Sequence, residues 1–490
     1  MKKGTLIKLI IFAAVLLFAG AVLLFMFVSD NDSESGKPAS VPDSSSSQAQ
    51  VSSADQSEDT SGPESTAQSE ADSTDERDIS QKAEEAVQSA GEALSQTGLE
   101  SSDALDSAAM LSSYQALNKT GVYPIYAAGS VKYFGNTKEG YKAMLDDLES
   151  AEHFIFLEYF IIDEGDMWDR VEEILTQKAK EGVIVRVVCD GLYFDYDESP
   201  EYQDRLEESG AQFRAFSPLT EKGASRSNLR DHRKITVIDG RVAYTGGANI
   251  SDEYIGIVKP YGELKDNFLR VEGNCVNSFT AMFLQVWDIY GEDRDISEFF
   301  TEYDSEDEKN GFILPFSDSP FDEAPVCEKI YLDMINSAEK QLKIMVPYFI
   351  PNERVMAALQ EAADRGVKIE LIVPGTSDNK TVGDAVRTYY QELVDMGVEL
   401  YEYSPGFVHS KVCIADDDLC LVSSANIDGR SLYYDYECGA LMYKCSESEA
   451  VKKDFDDTVG VCEKITEENV KEKGISGALK ELLRTIASHF

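Results

Sequence analysis

The sequence predicts an α/β protein of two homologous halves, each a mixed sheet flanked by helices, preceded by one transmembrane helix and a disordered linker. A histidine-lysine motif with a small-small-Ala-Asn ending occurs twice, 177 residues apart, in DHRKITVIDGRVAYTGGAN (231–249) and HSKVCIADDDLCLVSSAN (409–426). The same order of helix and strand patterns precedes each copy. An uncharged apolar run stands near the N-terminus. A repeat this long indicates a duplicated domain, because solenoid repeats have about 20–50 residues.

Residues 1–28 predict a single membrane anchor. After Lys2, Lys3 and Lys8, residues 9–28 form 20 consecutive uncharged, apolar residues, about the length that crosses a hydrocarbon core. A cleaved signal peptide usually has a shorter apolar region ending in small residues, whereas this run ends in Phe-Met-Phe-Val. Lysines before the span keep the N-terminus in the cytoplasm. We therefore expect a single-pass protein of the cell membrane with an extracytoplasmic catalytic domain.

Residues 29–110 predict an acidic, Ser-rich disordered linker. Asp, Glu, Ser, Gln and Ala dominate this segment, so it lacks the apolar surface that would offset the entropy lost on ordering. The whole chain has a formal net charge of −45. This charge argues against a nucleic-acid partner, whose phosphates bind Lys and Arg, and against spontaneous docking on anionic lipid.

Periodicity predicts a first half at 111–315 and a second at 316–490. The first half shows strand-like runs at 153–162 and 183–191 around an amphipathic helical pattern at 167–182. The predicted elements of the second half are helices at 327–341, 354–366 and 388–398 and strands at 342–350 and 367–375. The Ser/Pro/Asp-rich stretch 315–325 is the expected joint. Two packed sheets flanked by helices are the expected arrangement.

Each motif predicts a β-hairpin. The runs KITVI and RVAYT flank Asp239-Gly240, a good hairpin turn, and the second hairpin is expected to turn at Asp416-Asp417. Side chains alternate along a strand, so the histidine and lysine of each motif share a face. The two turn aspartates are interpreted first as residues that bind the local backbone.

Eight cysteines lie beyond the linker without metal-site spacing. We expect buried core thiols. A turn at Asp416-Asp417 would also place Cys413 opposite Cys420, so a disulfide between these two residues is an open alternative.

The paired H-x-K-x4-D motif resembles that of the phospholipase D superfamily. The segments between the motifs resemble bacterial cardiolipin synthases in particular, and the resemblance covers roughly residues 120–445. The matching segments are DHRKITVIDGRVAYTGGANISDEY (231–254), VPYFIPNE (346–353), IVPGTSDNK (372–380), YYQELVDMGVELYEYSPGFVHSK (389–411) and SANIDGRS (424–431). The resemblance implies two phospholipase D-like halves that share one active site.

Phosphodiester chemistry gives these residues candidate roles. One neutral imidazole attacks phosphorus, the other protonates the leaving alcohol, and lysines neutralise the phosphate oxygens. The candidate catalytic residues are His232, Lys234, Asp239, His409, Lys411 and Asp416. Asn249 and Asn426 are candidate phosphate ligands. Asp266 and Glu437 are expected to orient the histidine of their own half, 34 and 28 residues earlier. This inventory requires no metal and no cofactor.

The leading hypothesis is a membrane-anchored phosphatidyltransferase that makes cardiolipin and glycerol from two phosphatidylglycerols through a phosphohistidine. His232 is the favoured nucleophile, because the first motif keeps the Gly-Gly typical of the family. The alternatives are a phospholipase D hydrolase, a transferase using another alcohol, a nuclease, and a catalytically silent lipid-binding protein. Three positions depart from the cardiolipin synthase pattern, namely Ser423, Asp435 and Phe268.

Overall fold

Two mixed β-sheets packed face to face form the described part of the protein. The structure is a computed structural model that describes residues 124–487 except 194–200, 218–228, 290–295, 302, 304–309 and 323, together with positions 82, 86 and 89. The predicted span at 9–28 and almost all of the predicted linker lie outside the described residues. Within the described ranges, no helix combines the length and apolar character needed to cross a bilayer.

The first half contributes ten strands and four helices to the described residues. The strands are β1 (Tyr126–Ala127), β2 (Val131–Phe134), β3 (Phe154–Tyr159), β4 (Ile184–Asp190), β5 (Gln212–Phe216), β6 (Arg230–Asp231), β7 (Lys234–Ile238), β8 (Val242–Gly246), β9 (Glu263–Lys265) and β10 (Phe268–Glu272). The helices are α1 (Thr137–Glu149), α2 (Asp166–Glu181), α3 (Glu201–Ser209) and α4 (Val276–Ile289). Seven strands form one sheet in the order β2-β10-β8-β7-β3-β4-β5.

The second half repeats this plan with nine strands and eight helices in the described residues. The strands are β11 (Phe312–Asp318), β12 (Gln341–Met345), β13 (Lys368–Pro374), β14 (Glu399–Tyr403), β15 (Gly406–Val408), β16 (Lys411–Ala415), β17 (Leu419–Ser423), β18 (Asp435–Tyr443) and β19 (Cys462–Ile465). The helices are α5 (Val326–Ser337), α6 (Glu353–Asp364), α7 (Lys380–Arg387), α8 (Tyr390–Asp395), α9 (Gly429–Tyr433), α10 (Ser448–Val459), α11 (Val470–Lys473) and α12 (Ala478–Ala487). The second sheet has the order β1-β11-β18-β17-β16-β12-β13-β14-β19, with β6 beside β18.

A single apolar core joins the two halves. Side chains from one face of the first sheet, such as Ile235 and Leu269, lie in the same buried cluster as Val412 and Ala440 from the second sheet. Helix α4 belongs to this cluster, and 13 of its 14 residues are buried. Each sheet packs its other face on its own helices. Burial on both faces explains why β7 and β16 read as continuous apolar runs.

The halves also exchange strands at their edges. Strand β1 belongs to the first half but pairs with β11 in the second sheet. Strand β6 pairs in parallel with the start of β18, and β15 pairs in parallel with β9. Residues from both halves belong to one compact unit. The segment predicted to connect the two halves, 315–325, begins within β11, which is a strand of the second sheet.

The predicted strands and long helices are confirmed, within a few residues at each end. Helices α1, α3, α4, α7 and α9 to α12 were not predicted. Both hairpins form, but each has a three-residue loop where a two-residue turn was expected, because Ile238 pairs with Val242 and Ala415 with Leu419. Asp239, Gly240 and Asp416 have the positive φ angles that tight hairpin turns use.

The predicted opposition of Cys413 and Cys420 is wrong. The second hairpin has a three-residue loop, so Cys413 pairs with Leu421 and Cys420 pairs with Ile414. Consequently the two thiols point to opposite faces of the sheet and lie in different core clusters. All eight cysteines are free, and seven of them are buried, as expected for core thiols.

Candidate active site

The two motif histidines lie at the edge of the sheets where β3 and β12 end. Each histidine binds a carboxylate through Nδ1: His232 lies 2.9 Å from Oε1 of Glu437, and His409 lies 2.7 Å from Oδ2 of Asp266. Both carboxylates are fully buried. Because Nδ1 faces an acceptor, the proton belongs there in the neutral tautomer, and the lone pair lies on Nε2.

These carboxylates are exchanged between the halves. Asp266 and Glu437 were expected to orient the histidines of their own halves, and that assignment is wrong. Asp266 of the first half binds His409, and Glu437 of the second half binds His232. Each histidine therefore depends on both halves for its orientation.

The short parallel strand pairs explain the exchange. Strand β6 leads into His232 and lies beside Asp435-Tyr436, so the His232 N–H donates to the carbonyl of Tyr436 at 2.9 Å. Strand β15 leads into His409 and lies beside β9, so the His409 N–H donates to the carbonyl of Lys265 at 2.7 Å. The accepting residue is in each case the one before the carboxylate. Backbone pairing thus delivers each imidazole to the acid of the other half.

The motif lysines lie beside the histidines and are buried. Lys411 Nζ donates to the His409 carbonyl at 2.7 Å and lies 2.9 Å from its Nε2, and Lys234 Nζ donates to the His232 carbonyl. Burial lowers the pKa of Lys234 to about 8 and that of Lys411 to about 7, with Asp266 and Glu437 opposing the shift. An anion placed between the two ammonium groups would favour their charged forms.

Two serines that the sequence analysis did not single out hold Glu437. The hydroxyl groups of Ser424 and Ser431 donate to its two carboxylate oxygens. Burial raises the pKa of Glu437 to about 7, and the charge of Lys234 and these hydroxyl groups oppose the shift. Asp266 accepts instead from the N–H of Asn267 at 2.8 Å.

The two histidines differ in their electrostatic surroundings. Burial, followed by the charges of Lys234, Lys411, His409 and Arg430, lowers the pKa of His232 well below its usual value. The pKa of His409 is also lowered by burial and by Lys411, but Asp266 opposes the shift through its charge and hydrogen bond. The main contributions at His232 thus all favour its neutral form, whereas at His409 the carboxylate of Asp266 favours the charged form.

The charges that flank the pocket also differ between the halves. Glu253 and Arg430 stand at equivalent places, four residues after the asparagine of their own motif. Arg430 lies near His232 and is paired with Asp435 at 3.2 Å, which gives Asp435 a partner for its buried charge. Glu253 precedes Tyr254, whose ring meets His409 edge-on at 5.7 Å. The two halves thus carry opposite charges at this one equivalent position, and the positive charge of Arg430 is offset by Asp435.

The candidate phosphate ligands lie next to these groups. Asn249 donates from Nδ2 to the hydroxyl of Tyr254 at 2.7 Å. The Asn426 N–H donates to Ser431 at 2.8 Å. Its buried side-chain Oδ1 has no hydrogen-bond partner among the residues that the structure describes. Both asparagines are therefore one contact away from a histidine-carboxylate pair.

Two of the predicted catalytic residues lie elsewhere. Asp239 and Asp416 are at the hairpin turns, at the end of the motif strands opposite to the histidines. Asp239 accepts the N–H groups of residues 152, 153 and 154 at 2.7–2.8 Å. Asp416 accepts those of residues 339, 340 and 341 at 2.8–3.0 Å. Each aspartate ties its hairpin to the start of a central strand, which matches the interpretation as backbone-binding turn residues.

Replacing Asp239 by Ala should therefore destabilise the protein with little effect on kcat. Three backbone donors lose a charged acceptor, and we expect the free energy of unfolding to fall by about 2–3 kcal/mol. Urea unfolding and turnover per folded molecule measure the two effects. Asp457→Ala, which removes an exposed carboxylate on α10, is the control. A large loss of kcat at unchanged stability would place Asp239 in the catalytic machinery instead.

Two departures from the family pattern are each accommodated by a glycine on the neighbouring strand. In the first half, Gly246 on β8 faces Phe268 on β10. In the second half, Ser423 on β17 faces Gly439 on β18, and a Cβ at Gly439 would lie 2.5 Å from that of Ser423. Each pair of strands keeps one glycine, on opposite strands in the two halves. Ser423 and Phe268 are accommodated without displacing a histidine.

Known proteins resemble this chain in sequence and in fold. The family model described as cardiolipin synthase, phospholipase D-like domain matches residues 144–287 and 331–459. An uncharacterized protein of Streptococcus mutans is 42% identical over 365 residues, covering 74% of this chain and 79% of its own. Cardiolipin synthase 2 of Bacillus anthracis is 35% identical over 346 residues, covering 70% and 67% respectively.

The fold is also found in a solved structure. Phosphatidylserine synthase of Haemophilus influenzae superposes with a TM-score of 0.59 at 14% identity, covering 76% of this chain and 95% of the other. At this identity the likeness concerns the fold alone. The family-model match and the similarity to cardiolipin synthases together show that this chain belongs to the bacterial cardiolipin synthase family of phospholipase D-type phosphatidyltransferases.

Proposed function

We propose that the protein joins two phosphatidylglycerol molecules into cardiolipin and releases glycerol, through a phosphatidyl-histidine intermediate. The observation that carries this proposal is the pair of buried histidine-lysine groups, each histidine bound by a carboxylate of the other half. Such a pair supplies a nucleophile, an acid and two cations around one phosphodiester.

In the first step, Nε2 of His232 attacks phosphorus and the bond to the glycerol oxygen breaks. His409 gives its Nε2 proton to that oxygen, and glycerol leaves. The lysine ammonium groups neutralise the oxygens that remain on phosphorus. Glu437 accepts a hydrogen bond from Nδ1–H of His232, which keeps its proton, and so stabilises the positive charge of the phosphorylated ring.

In the second step, the glycerol hydroxyl of another phosphatidylglycerol attacks phosphorus, and the bond to His232 breaks. His409 now takes the proton of the attacking hydroxyl. Asp266 supports the imidazolium that forms. Both alcohols therefore use the His409 side of the pocket.

The role of His232 as nucleophile rests on one feature of the surroundings. Burial and the four neighbouring positive charges all lower the pKa of His232 and favour its neutral, nucleophilic form, whereas Asp266 favours the charged form of His409.

We also propose a single N-terminal anchor with the catalytic domain outside the cytoplasm, from the apolar run at 9–28 and the lysines before it. Protease added to intact protoplasts should cut the acidic linker and release the domain. Cleavage confined to lysed cells would place the domain in the cytoplasm.

Incubation of the purified protein with vesicles of phosphatidylglycerol alone tests the proposed reaction. Cardiolipin and glycerol should appear in equal amounts, because one molecule of each is formed per turnover. Mass spectrometry of the lipids and an enzymatic glycerol assay measure both. Phosphatidic acid as the main lipid product would favour a hydrolase, since water would then open the intermediate.

Activity should fall as the pH rises through the pKa values of the lysines. Lys411 and Lys234 bind phosphate only when charged, and their pKa values of about 7 and about 8 place the alkaline limb of kcat/KM in this range. Lys411→Arg keeps a permanent charge, so its limb should move to higher pH. Lys343→Arg, in the ion pair with Asp456, is the control. An unchanged alkaline limb in Lys411→Arg would contradict the assignment of this limb to deprotonation of Lys411.

A further inference from the structure

Exposed apolar side chains cluster in the loops around the catalytic pocket. Among the described residues, nine large hydrophobic side chains are exposed. Four of them lie in three loops at the catalytic edge of the sheets, namely Leu192, Ile257, Val258 and Tyr434, and their exposed fractions are 39–50%. We refer to these four residues as the apolar rim. Tyr433 is not part of the rim, because it ends helix α9 and its hydroxyl donates to Glu328.

Contacts within each loop place the rim beside the histidines. Ile257 and Val258 closely follow Tyr254, whose ring contacts His409. Tyr434 is two residues before Tyr436, whose carbonyl accepts the N–H of His232.

The third loop, which contains Leu192, is linked to the active site by hydrogen bonding of Asp190. Leu192 follows this residue by two positions, and Asp190 accepts the N–H of Asp231, the neighbour of His232. The three loops thus surround the entrance from both halves.

The two halves carry an exposed apolar side chain at the same position of the repeat, which supports a shared role. Ile257 and Tyr434 each stand eight residues after the asparagine of their own motif, at equivalent places in the two halves. The residue types differ, but both are large, apolar and about half exposed. A packing role does not explain exposure at both places, because a side chain that serves the core is buried.

The net charge of the molecule opposes an anionic lipid surface, so the rim itself has to supply the attraction to the bilayer. With 90 acidic and 45 basic residues, the protein is repelled by such a surface at long range. Lysines are nevertheless present at the rim. A Cβ at Gly256 would lie 3.4 Å from Nζ of Lys138 and 3.9 Å from Cε of Lys259. Apolar side chains flanked by lysines suit the boundary between acyl chains and anionic headgroups.

We propose that the apolar rim inserts into the surface of a phosphatidylglycerol-containing bilayer and seats the entrance of the pocket on the membrane. A lipid headgroup then reaches the histidines while its acyl chains stay in the bilayer. This inference rests on the lipid substrate of the proposed function. It adds the surface that the catalytic domain itself presents to the membrane.

Tryptophan fluorescence tests the insertion without reference to turnover. The chain has two tryptophans, Trp168 and Trp287, and both are fully buried, so a new surface tryptophan gives a separate signal. Full-length protein carrying Ile257→Trp should be quenched by phosphatidylglycerol vesicles with nitroxide-labelled acyl chains. Ile184→Trp is the matched control. Ile184 is 38% exposed at the opposite end of β4, so its replacement should remain unquenched.

Quenching that is equal at both positions, or absent at both, would overturn the proposal. A change in Ile257→Trp fluorescence that depends on protein concentration, without vesicles, would assign the rim to contacts between copies of the chain and would also overturn it. Quenching confined to Ile257→Trp in a protein that makes no cardiolipin would refute the proposed reaction and leave the docking surface standing.

Turnover gives a second, independent readout. The double replacement Ile257→Ser/Val258→Ser should raise KM for vesicle phosphatidylglycerol about tenfold or more, because membrane partitioning weakens. Its kcat/KM for a monomeric, short-chain phosphatidylglycerol should stay unchanged. Equal losses with both substrates would indicate a damaged pocket and contradict a docking role. Ile184→Ser should behave like wild type with both.

Discussion

His232→Ala is expected to lose turnover by a factor on the order of 10⁴ or more and to form no phosphatidyl-enzyme. The nucleophile forms the bond to phosphorus, so nothing remains to carry the phosphatidyl group between the two alcohols. Acid quenching after a short incubation with phosphorus-labelled phosphatidylglycerol measures the intermediate. The adduct survives acid poorly if it is a phosphohistidine, so quenching has to be brief and followed at once by alkaline separation.

His409→Ala should also be inactive in steady state, but for a different reason. Without the acid, glycerol leaves slowly, and without the base, the second hydroxyl attacks slowly. Some labelled phosphatidyl-enzyme should therefore accumulate if the second step suffers more. His153→Ala is the control, because His153 is exposed and its backbone N–H binds Asp239 at the distant turn. Label found only in His232→Ala would reverse the two roles, and wild-type turnover in either variant would refute the two-histidine mechanism.

Asp266→Asn and Glu437→Gln are each expected to lower kcat by about 10³–10⁴, because an amide favours the wrong imidazole tautomer. Because each carboxylate binds the histidine of the other half, the two variants should differ in the amount of phosphatidyl-enzyme that they form. Glu437 binds the nucleophile, so Glu437→Gln should resemble His232→Ala and form little phosphatidyl-enzyme. Asp266 binds the acid, so Asp266→Asn should resemble His409→Ala and retain label.

The opposite pattern would mean that each carboxylate serves the histidine of its own half. Asp454→Asn is a suitable control. The carboxylate of Asp454 binds Lys265, the residue before Asp266, at 2.8 Å and does not contact a histidine. Its trapping behaviour should match the wild type. Circular dichroism and thermal unfolding of all variants show whether a buried replacement has altered the fold.

Local features of the sequence predicted most of the fold. Asp239-Gly240 favours a hairpin turn through its own backbone preferences, and the alternation of KITVI and RVAYT determines which side chains share a face. The repetition of the motif then predicted one pocket built from two halves. These inferences depend on residues close together in the chain.

The exchanged carboxylates depend on partners that are distant in the chain. The distance along the sequence from His232 to Asp266 is shorter than that to Glu437, yet the pairing of β6 with β18 selects Glu437. The registers of both hairpins were missed for a related reason, since each loop has one residue more than the turn signal predicts. A turn signal does not determine whether Asp418 belongs to the loop, and one extra residue moves Cys413 from Cys420 to Leu421.

The motif alone likewise did not show that Gly439 on the neighbouring strand leaves room for the side chain of Ser423. Ser423 departs from the family pattern on one strand, and the glycine that accommodates it lies on the next strand. Ser431 holds Glu437 from helix α9, five residues after Asn426, at a position that the chemistry alone did not suggest. Steric and hydrogen-bonding partners of this kind are determined by packing.

The stereochemistry at phosphorus tests the central claim most directly. Phosphatidylglycerol with one sulfur in place of a non-bridging phosphate oxygen, of a single configuration, is converted by the full-length enzyme, and the configuration of the transferred phosphorus in the cardiolipin is determined by phosphorus NMR. Two in-line displacements, first by His232 and then by the second lipid's hydroxyl, each invert phosphorus, so the account predicts net retention. Net inversion would show that the second lipid attacks the first directly and would contradict a covalent histidine intermediate.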